Sequence, residues 1–218
     1  MLSNSVLDRF KGFWQGVLLA PFVNLFLKLG ISPDTVTLVG TIGVVAGAVI
    51  FFPQGMLLTG VLVITAFVFS DLIDGQMARK LGRQSKFGAF WDSTLDRFGD
   101  AAIFGGLAMY YVGPGDNDWF AALAIYCLSM GSVTSYARAR AQSLGLEAKV
   151  GIAERADRLV SILVITGVAD LVNVLGAGEK ALWAIPITLG VLALASTLTV
   201  VQRVVHVRRL ALAEEGPR

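Results

Sequence analysis

The chain alternates between long apolar runs and short polar turns. Six stretches carry no Lys, Arg, Asp or Glu: Thr35 to Phe52, Gly55 to Phe69, Ala101 to Gly113, Trp119 to Ala137, Leu159 to Ala169 and Ala181 to Gln202. A helix needs about 20 apolar residues to cross a bilayer. The third and fifth stretches reach that length by extending into a polar helical turn at one end. The pattern therefore predicts an all-α integral membrane protein with six transmembrane helices.

The amino-terminal segment "VLDRFKGFWQGVLLAPFVNLFLKLG" has a different pattern. Its apolar run is interrupted by Gln15, Pro21 and Asn24 and bracketed by Arg9, Lys11 and Lys28. This predicts an amphipathic helix lying in the membrane interface rather than a seventh crossing. No small-residue cleavage site follows its basic start, so it does not read as a removed signal peptide. The expected organisation is an interfacial segment over 1–30, a six-helix domain over 31–210 and a polar, frayed tail over 211–218.

Composition supports this class. The 218 residues are 55% hydrophobic and only 16% charged, with a mean hydropathy of +0.69, whereas soluble domains are roughly a quarter charged. The net charge of +2 gives no reason to expect a nucleic-acid partner, and a single cysteine, Cys127, can form no internal disulfide. The placement of charge is more telling than its sum. Arg9, Lys11 and Lys28 precede the first apolar stretch, and Arg79, Lys80, Arg83 and Lys86 separate the second from the third. Arg138, Arg140, Lys149, Arg155 and Arg158 lie between the fourth and fifth, and Arg203, Arg208 and Arg209 follow the sixth. The alternate loops, "FPQG", "GPGDNDW" and "LGAGEKA", hold Lys180 as their only basic residue. The positive-inside rule then predicts cytoplasmic termini and cytoplasmic basic loops in a multi-pass plasma-membrane protein.

One stretch breaks the apolar pattern, "SDLIDGQMARKLGRQSKFGAFWDSTLD". Residues three, four and seven apart share a helix face. Asp71, Asp74, Gly75, Ala78 and Arg79 therefore line one side of the second helix, and Gly88, Asp92 and Asp96 line one side of the third. Four carboxylates at a membrane edge repel one another and lose hydration, so they need counter-ions. All-oxygen ligands suit hard divalent cations, Mg²⁺ or Mn²⁺, with two ions expected. The small residues at 75, 78 and 88 leave room for a metal-bound diphosphate, whose oxygens the Arg79 fork can neutralise. Ordinary juxtamembrane ion pairing would explain one such acid but not four at helical spacing. Asp100 adds a further turn to the ladder, and there a buried acid hydrogen-bonded to a neighbouring helix is the expectation.

At these residues the chain resembles the CDP-alcohol phosphotransferase family, with signature D-x2-D-G-x2-A-R-x8-G-x3-D-x3-D. Asp71, Asp74, Gly75, Ala78, Arg79, Gly88, Asp92 and Asp96 fill every fixed position. "ISPDTVTLVG" resembles the segment opening the family's first span. "SYARARAQSLGL", "GIAERADRLV" and "VVQRVVH" resemble segments of its actinobacterial members that use inositol phosphate. The resemblance implies a homodimeric six-helix enzyme of phospholipid biosynthesis with a cavity open to the cytoplasm. Asp71, Asp74 and Asp92 would be metal ligands, and Asp96 the general base, possible metal contact included. Asp34, Thr35, Val36 and Thr37, with Gly75, Ala78, Arg79 and Ser85, would hold CDP-diacylglycerol. "SPDT" reads equally well as a helix start capped by Ser32 or Asp34, with Pro33 at an early position.

The acceptor is read from arginines. Taken singly, cytoplasmic arginines set topology or touch anionic headgroups; as a group beside carboxylates they suit a phosphate-bearing alcohol. Arg138, Arg158 and Arg203 match the family's acceptor-phosphate positions, and Arg138 stands where some relatives are expected to carry Lys. The resemblance implies transfer of the phosphatidyl group to 1D-myo-inositol 3-phosphate. Glycerol 3-phosphate, giving phosphatidylglycerophosphate, is the alternative that charge alone does not separate. A membrane cation transporter is the reading from another class. Transport sites lie near the bilayer midplane, whereas these acids sit within a few helical turns of Lys80 and Lys86, and transport leaves Gly75, Ala78 and Arg79 unexplained.

Overall fold

The computed structural model describes residues 20–81 and 85–215, without the side chains of residues 69–72, 74, 78, 177 and 215. Helices α1 (Ala20–Lys28), α2 (Pro33–Phe51), α3 (Leu57–Lys80), α4 (Lys86–Val112), α5 (Asp118–Ser143), α6 (Arg155–Val172) and α7 (Ala184–Glu215) follow one another, and no strand occurs among the described residues. Pro33–Gln54, Asp118–Ser143, Arg155–Gly176 and Glu179–Glu214 are long and apolar enough to cross a membrane, and Leu57–Val68 is a shorter apolar segment. The first part of α4 carries Lys86, Asp92, Asp96, Arg97 and Asp100.

Helix starts follow local chemistry. The Ser32 hydroxyl accepts from the Thr35 amide at 3.2 Å and shares a 2.8 Å hydrogen bond with the Thr35 hydroxyl, so Ser32 rather than Asp34 caps α2. Ser85 accepts from Gly88 N at 2.8 Å and opens α4. Asn117 accepts from Phe120 N at 3.0 Å at the start of α5, and a Glu154–Asp157 capping box opens α6. Each oxygen satisfies an amide that the first helical turn leaves without a partner.

The chain divides into two compact units, residues 1–47 with 63–99 and residues 48–62 with 100–218. In the first, Val23, Phe26 and Leu27 of α1 pack with Ile31, Val36, Ile73 and Met77. Gly43 and Gly47 let α2 meet α3 closely, since a Cβ at Gly43 would stand 2.2 Å from the Phe67 ring and one at Gly47 would be 3.1 Å from Ile64. Lys80 Nζ donates to Asn24 Oδ1 at 2.8 Å, tying the end of α3 to α1. Residues 1–19 of the expected interfacial segment lie outside the described residues.

In the second unit α7 packs along α5 and α6. Its polar groups point inward: Thr134, Arg158, Thr166, Asp170, Ser196, Thr199 and Arg203 are buried. Val160, Val164, Val168 and Leu171 on α6, and Val191, Leu194, Leu198 and Val201 on α7, are exposed at helical spacing. Apolar stripes outside and polar groups inside are the arrangement that a lipid solvent imposes. Asp170 Oδ2 accepts from Leu58 N at 2.8 Å, a cap delivered from α6 to the first turn of α3.

One boundary differs from expectation. The last helix runs to Glu215, into the region read as a frayed tail; residues 216–218 lie outside the described residues. Leu210 and Ala211 pack with Ala141, Leu146 and Ala148, and "ALAEE" consists of strong helix formers.

Candidate active site

The parts of α3 and α4 that carry the acidic stretch lie in the first unit. Residues 71, 74, 75, 78 and 79 fall within α3 and residues 88, 92 and 96 within α4, so the helical register assumed for the signature holds. The side chains of Asp71, Asp74 and Ala78 lie outside the described residues. Asp92 is exposed; Asp96 is partly buried, with Oδ2 3.7 Å from Arg97 Nη2. No group of three metal-ligating side chains forms among the described residues, which include only two of the four aspartates.

The glycines define where a ligand fits. A Cβ on Gly75 would meet nothing within 4 Å, and one on Gly88 would approach Ser85 Oγ at 3.1 Å and Asp34 Oδ1 at 3.7 Å. Two candidate nucleotide-site residues, Asp34 and Ser85, thus border the bare backbone of Gly88, Gly75 faces open space, and Arg79 is exposed at the end of α3. Gln76 Nε2 is buried without a hydrogen-bond partner among the described residues, a spare donor next to Gly75. Oxygen donors on α4, open space over Gly75 and cationic or amide donors on α3 fit a divalent metal with a diphosphate.

Two candidates have structural duties. Val36 is buried against Val23 and Met77, which leaves only its backbone for a nucleotide. Thr37 is buried and donates its hydroxyl to Pro33 O at 3.1 Å. Trp91 was not singled out from sequence: its Nε1 donates to Asp34 O at 3.4 Å and its ring stacks on Phe87 at 5.9 Å. An indole one residue before Asp92 is the only signal the sequence offered.

The arginines expected to bind the acceptor lie in the second unit and converge on one face of α5. Arg158 Nη1 donates to Ala153 O at 3.1 Å, and its guanidinium lies so close to Gly131 that a Cβ there would be 3.3 Å from Nη2. Arg203 Nη1 donates to Thr134 O at 2.5 Å and Nε to Val150 O at 2.9 Å. Gly131, Thr134 and Arg138 are spaced i, i+3 and i+7, so all three cations share that face. The charges of Arg138 and Arg203 oppose each other, and Glu154 offsets part of the excess. Asp100 meets its expectation: it is buried and accepts from Arg155 Nε at 2.9 Å, linking α4 to α6.

Comparison with known proteins places these features in a family. Residues 30–213 match the model of the CDP-alcohol phosphatidyltransferases. A phosphatidylinositol phosphate synthase of Streptomyces avermitilis is 49% identical over 95% of this chain and 85% of its own length. One of Cutibacterium acnes is 51% identical over 94% and 98%. The crystal structure of the Mycobacterium tuberculosis phosphatidylinositol phosphate synthase with CDP-DAG bound superposes with a TM-score of 0.80 at 36% identity, covering 87% of this chain and 92% of that one. The same enzyme in complex with manganese and citrate gives 0.78 over 87% and 88%. A complete signature on two consecutive helices, a matching fold and this similarity together make the chain a member of the CDP-alcohol phosphatidyltransferase family.

Proposed function

We propose that this membrane enzyme transfers the phosphatidyl group of CDP-diacylglycerol to 1D-myo-inositol 3-phosphate, giving phosphatidylinositol phosphate and CMP. The observation that carries the acceptor is the near-50% identity, over almost the whole chain, to phosphatidylinositol phosphate synthases. The cluster of Arg138, Arg158 and Arg203 on one face of α5 supports a phosphate-bearing acceptor.

Asp71, Asp74, Asp92 and Asp96 would hold divalent metal, Mg²⁺ or Mn²⁺ and two ions in our reading, which offsets charge on the diphosphate and the departing nucleotide. The chain's own residues do the rest. Asp34, Thr35, Thr37 and Ser85, with the backbone of Val36, hold the nucleotide, while Gly75 and Ala78 admit the diphosphate and Arg79 binds its oxygens. Asp96 takes the proton of the acceptor hydroxyl as its oxygen attacks the β-phosphorus; the bond from that phosphorus to the CMP oxygen breaks, and CMP leaves. Six crossings, an interfacial amino-terminal helix, a cytoplasmic active site and a homodimer complete the proposal; the basic loops support the cytoplasmic placement.

The test is CMP release by purified protein with CDP-diacylglycerol and Mg²⁺, offered inositol 3-phosphate, glycerol 3-phosphate and free inositol in parallel. Turnover with inositol phosphate alone is expected. Turnover with glycerol 3-phosphate instead would keep the catalytic site and overturn the acceptor.

A further inference from the structure

A cleft of about 470 Å³ opens on the second unit between the segment before α6 and the last turns of α7. Val150, Gly151 and Ile152 form one wall; Val201, Gln202, Val205, His206 and Arg209 form the other. The first wall is fixed to α7. Thr199 Oγ1 accepts from both Ile152 N and Ala153 N, at 3.2 and 3.1 Å, and Arg203 Nε holds Val150 O. Gly151 sits at φ +138°, so close to α7 that a Cβ would be 2.3 Å from Thr199 Cγ2. Arg203 turns inward to α5, so the acceptor cluster and this cleft use different residues of one helix.

The chemistry of the cleft is divided. Gln202, His206 and Arg209, at i, i+4 and i+7, give it a rim of hydrogen-bond donors on one helix face, and no carboxylate lines it among the described residues. Val150, Ile152, Val201 and Val205 make its floor apolar. From Ala184 to Gln202 the helix rises about 27 Å, close to the roughly 30 Å hydrocarbon thickness, which sets the donor rim at headgroup depth. Exposed Leu194, Leu198, Val201 and Val205 continue the apolar surface down the helix from that rim. A soluble phosphate would use the donors and leave the apolar floor wet; a phospholipid uses both.

We infer that this cleft is a binding site for the headgroup of an anionic phospholipid, with the phosphate on Arg209 and His206 and an acyl chain along the Leu194–Val205 stripe. The site is separate from substrate CDP-diacylglycerol.

Native mass spectrometry of protein purified from vesicles containing phosphatidylglycerol and phosphatidylcholine tests this. Wild type should retain phosphatidylglycerol preferentially, with retention unchanged by added CDP-diacylglycerol or inorganic phosphate. His206→Ala/Arg209→Gln should reduce retention about tenfold, the loss expected for charged hydrogen bonds. Val205→Trp, which fills the cleft without touching its charge, should reduce it as well, while Arg208→Gln, outside the cleft, should not. Equal retention of phosphatidylcholine, displacement by CDP-diacylglycerol or phosphate, unchanged retention in the double or cleft-filling variant, or an equal loss with Arg208→Gln would each overturn the inference.

Discussion

Asp96 and Arg158 carry the residue-scale consequences. If Asp96 takes the hydroxyl proton, Asp96→Asn should lower turnover by about 10²–10⁴-fold while metal-dependent CDP-diacylglycerol binding persists; single-turnover assays beside lipid-binding measurements separate the two. Arg158→Gln should raise KM for the acceptor about tenfold and that for CDP-diacylglycerol far less. Because Arg158 is 2% exposed and donates to Ala153 O, the same change should also cost about 1–3 kcal/mol of stability, visible as a lower Tm. The four aspartates were legible in the sequence because their spacing alone puts them on helix faces and their charge is unexpected in lipid. The arginines were legible as a charge group, but not their burial against Gly131 and Thr134, which depends on contacts between residues 69 positions apart. The burial of Val36 was equally hidden, since a residue inside a candidate binding segment can spend its side chain on the core.

Hydrophobic runs marked the helices well, since apolar length is what a bilayer demands, yet they understated α3 and α4. Each of those helices continues through charge, which in the proposed function its polar half directs to a metal site rather than lipid. The late end of α7 was equally invisible to hydropathy, for it rests on Leu210 and Ala211 finding the Ala141–Ala148 turn. At this scale the junction between the segment 150–153 and α7 is the sharpest test. Thr199→Val keeps the shape but orphans two amides, at about 1–3 kcal/mol each at most. Differential scanning fluorimetry in detergent should show Tm falling by about 2–4 °C per kcal/mol, and the Arg203-dependent acceptor KM should rise with it, since Val150 O is a partner of Arg203.

For the whole molecule, a divalent requirement is the broadest prediction: chelation with EDTA should abolish CMP release, and Mg²⁺ or Mn²⁺ should restore it, because four carboxylates on two helices repel one another without a counter-ion. Activity that survives chelation would remove the metal from the proposal and leave the family fold intact. The length of α7 has another use. Its 32 residues rise about 48 Å, roughly 18 Å more than the hydrocarbon layer. At 23.2 kDa the protein offers little contrast to single-particle imaging. A helical fusion partner spliced in register after Glu215 would inherit the direction of that overhang and serve as an alignment mast for microscopy.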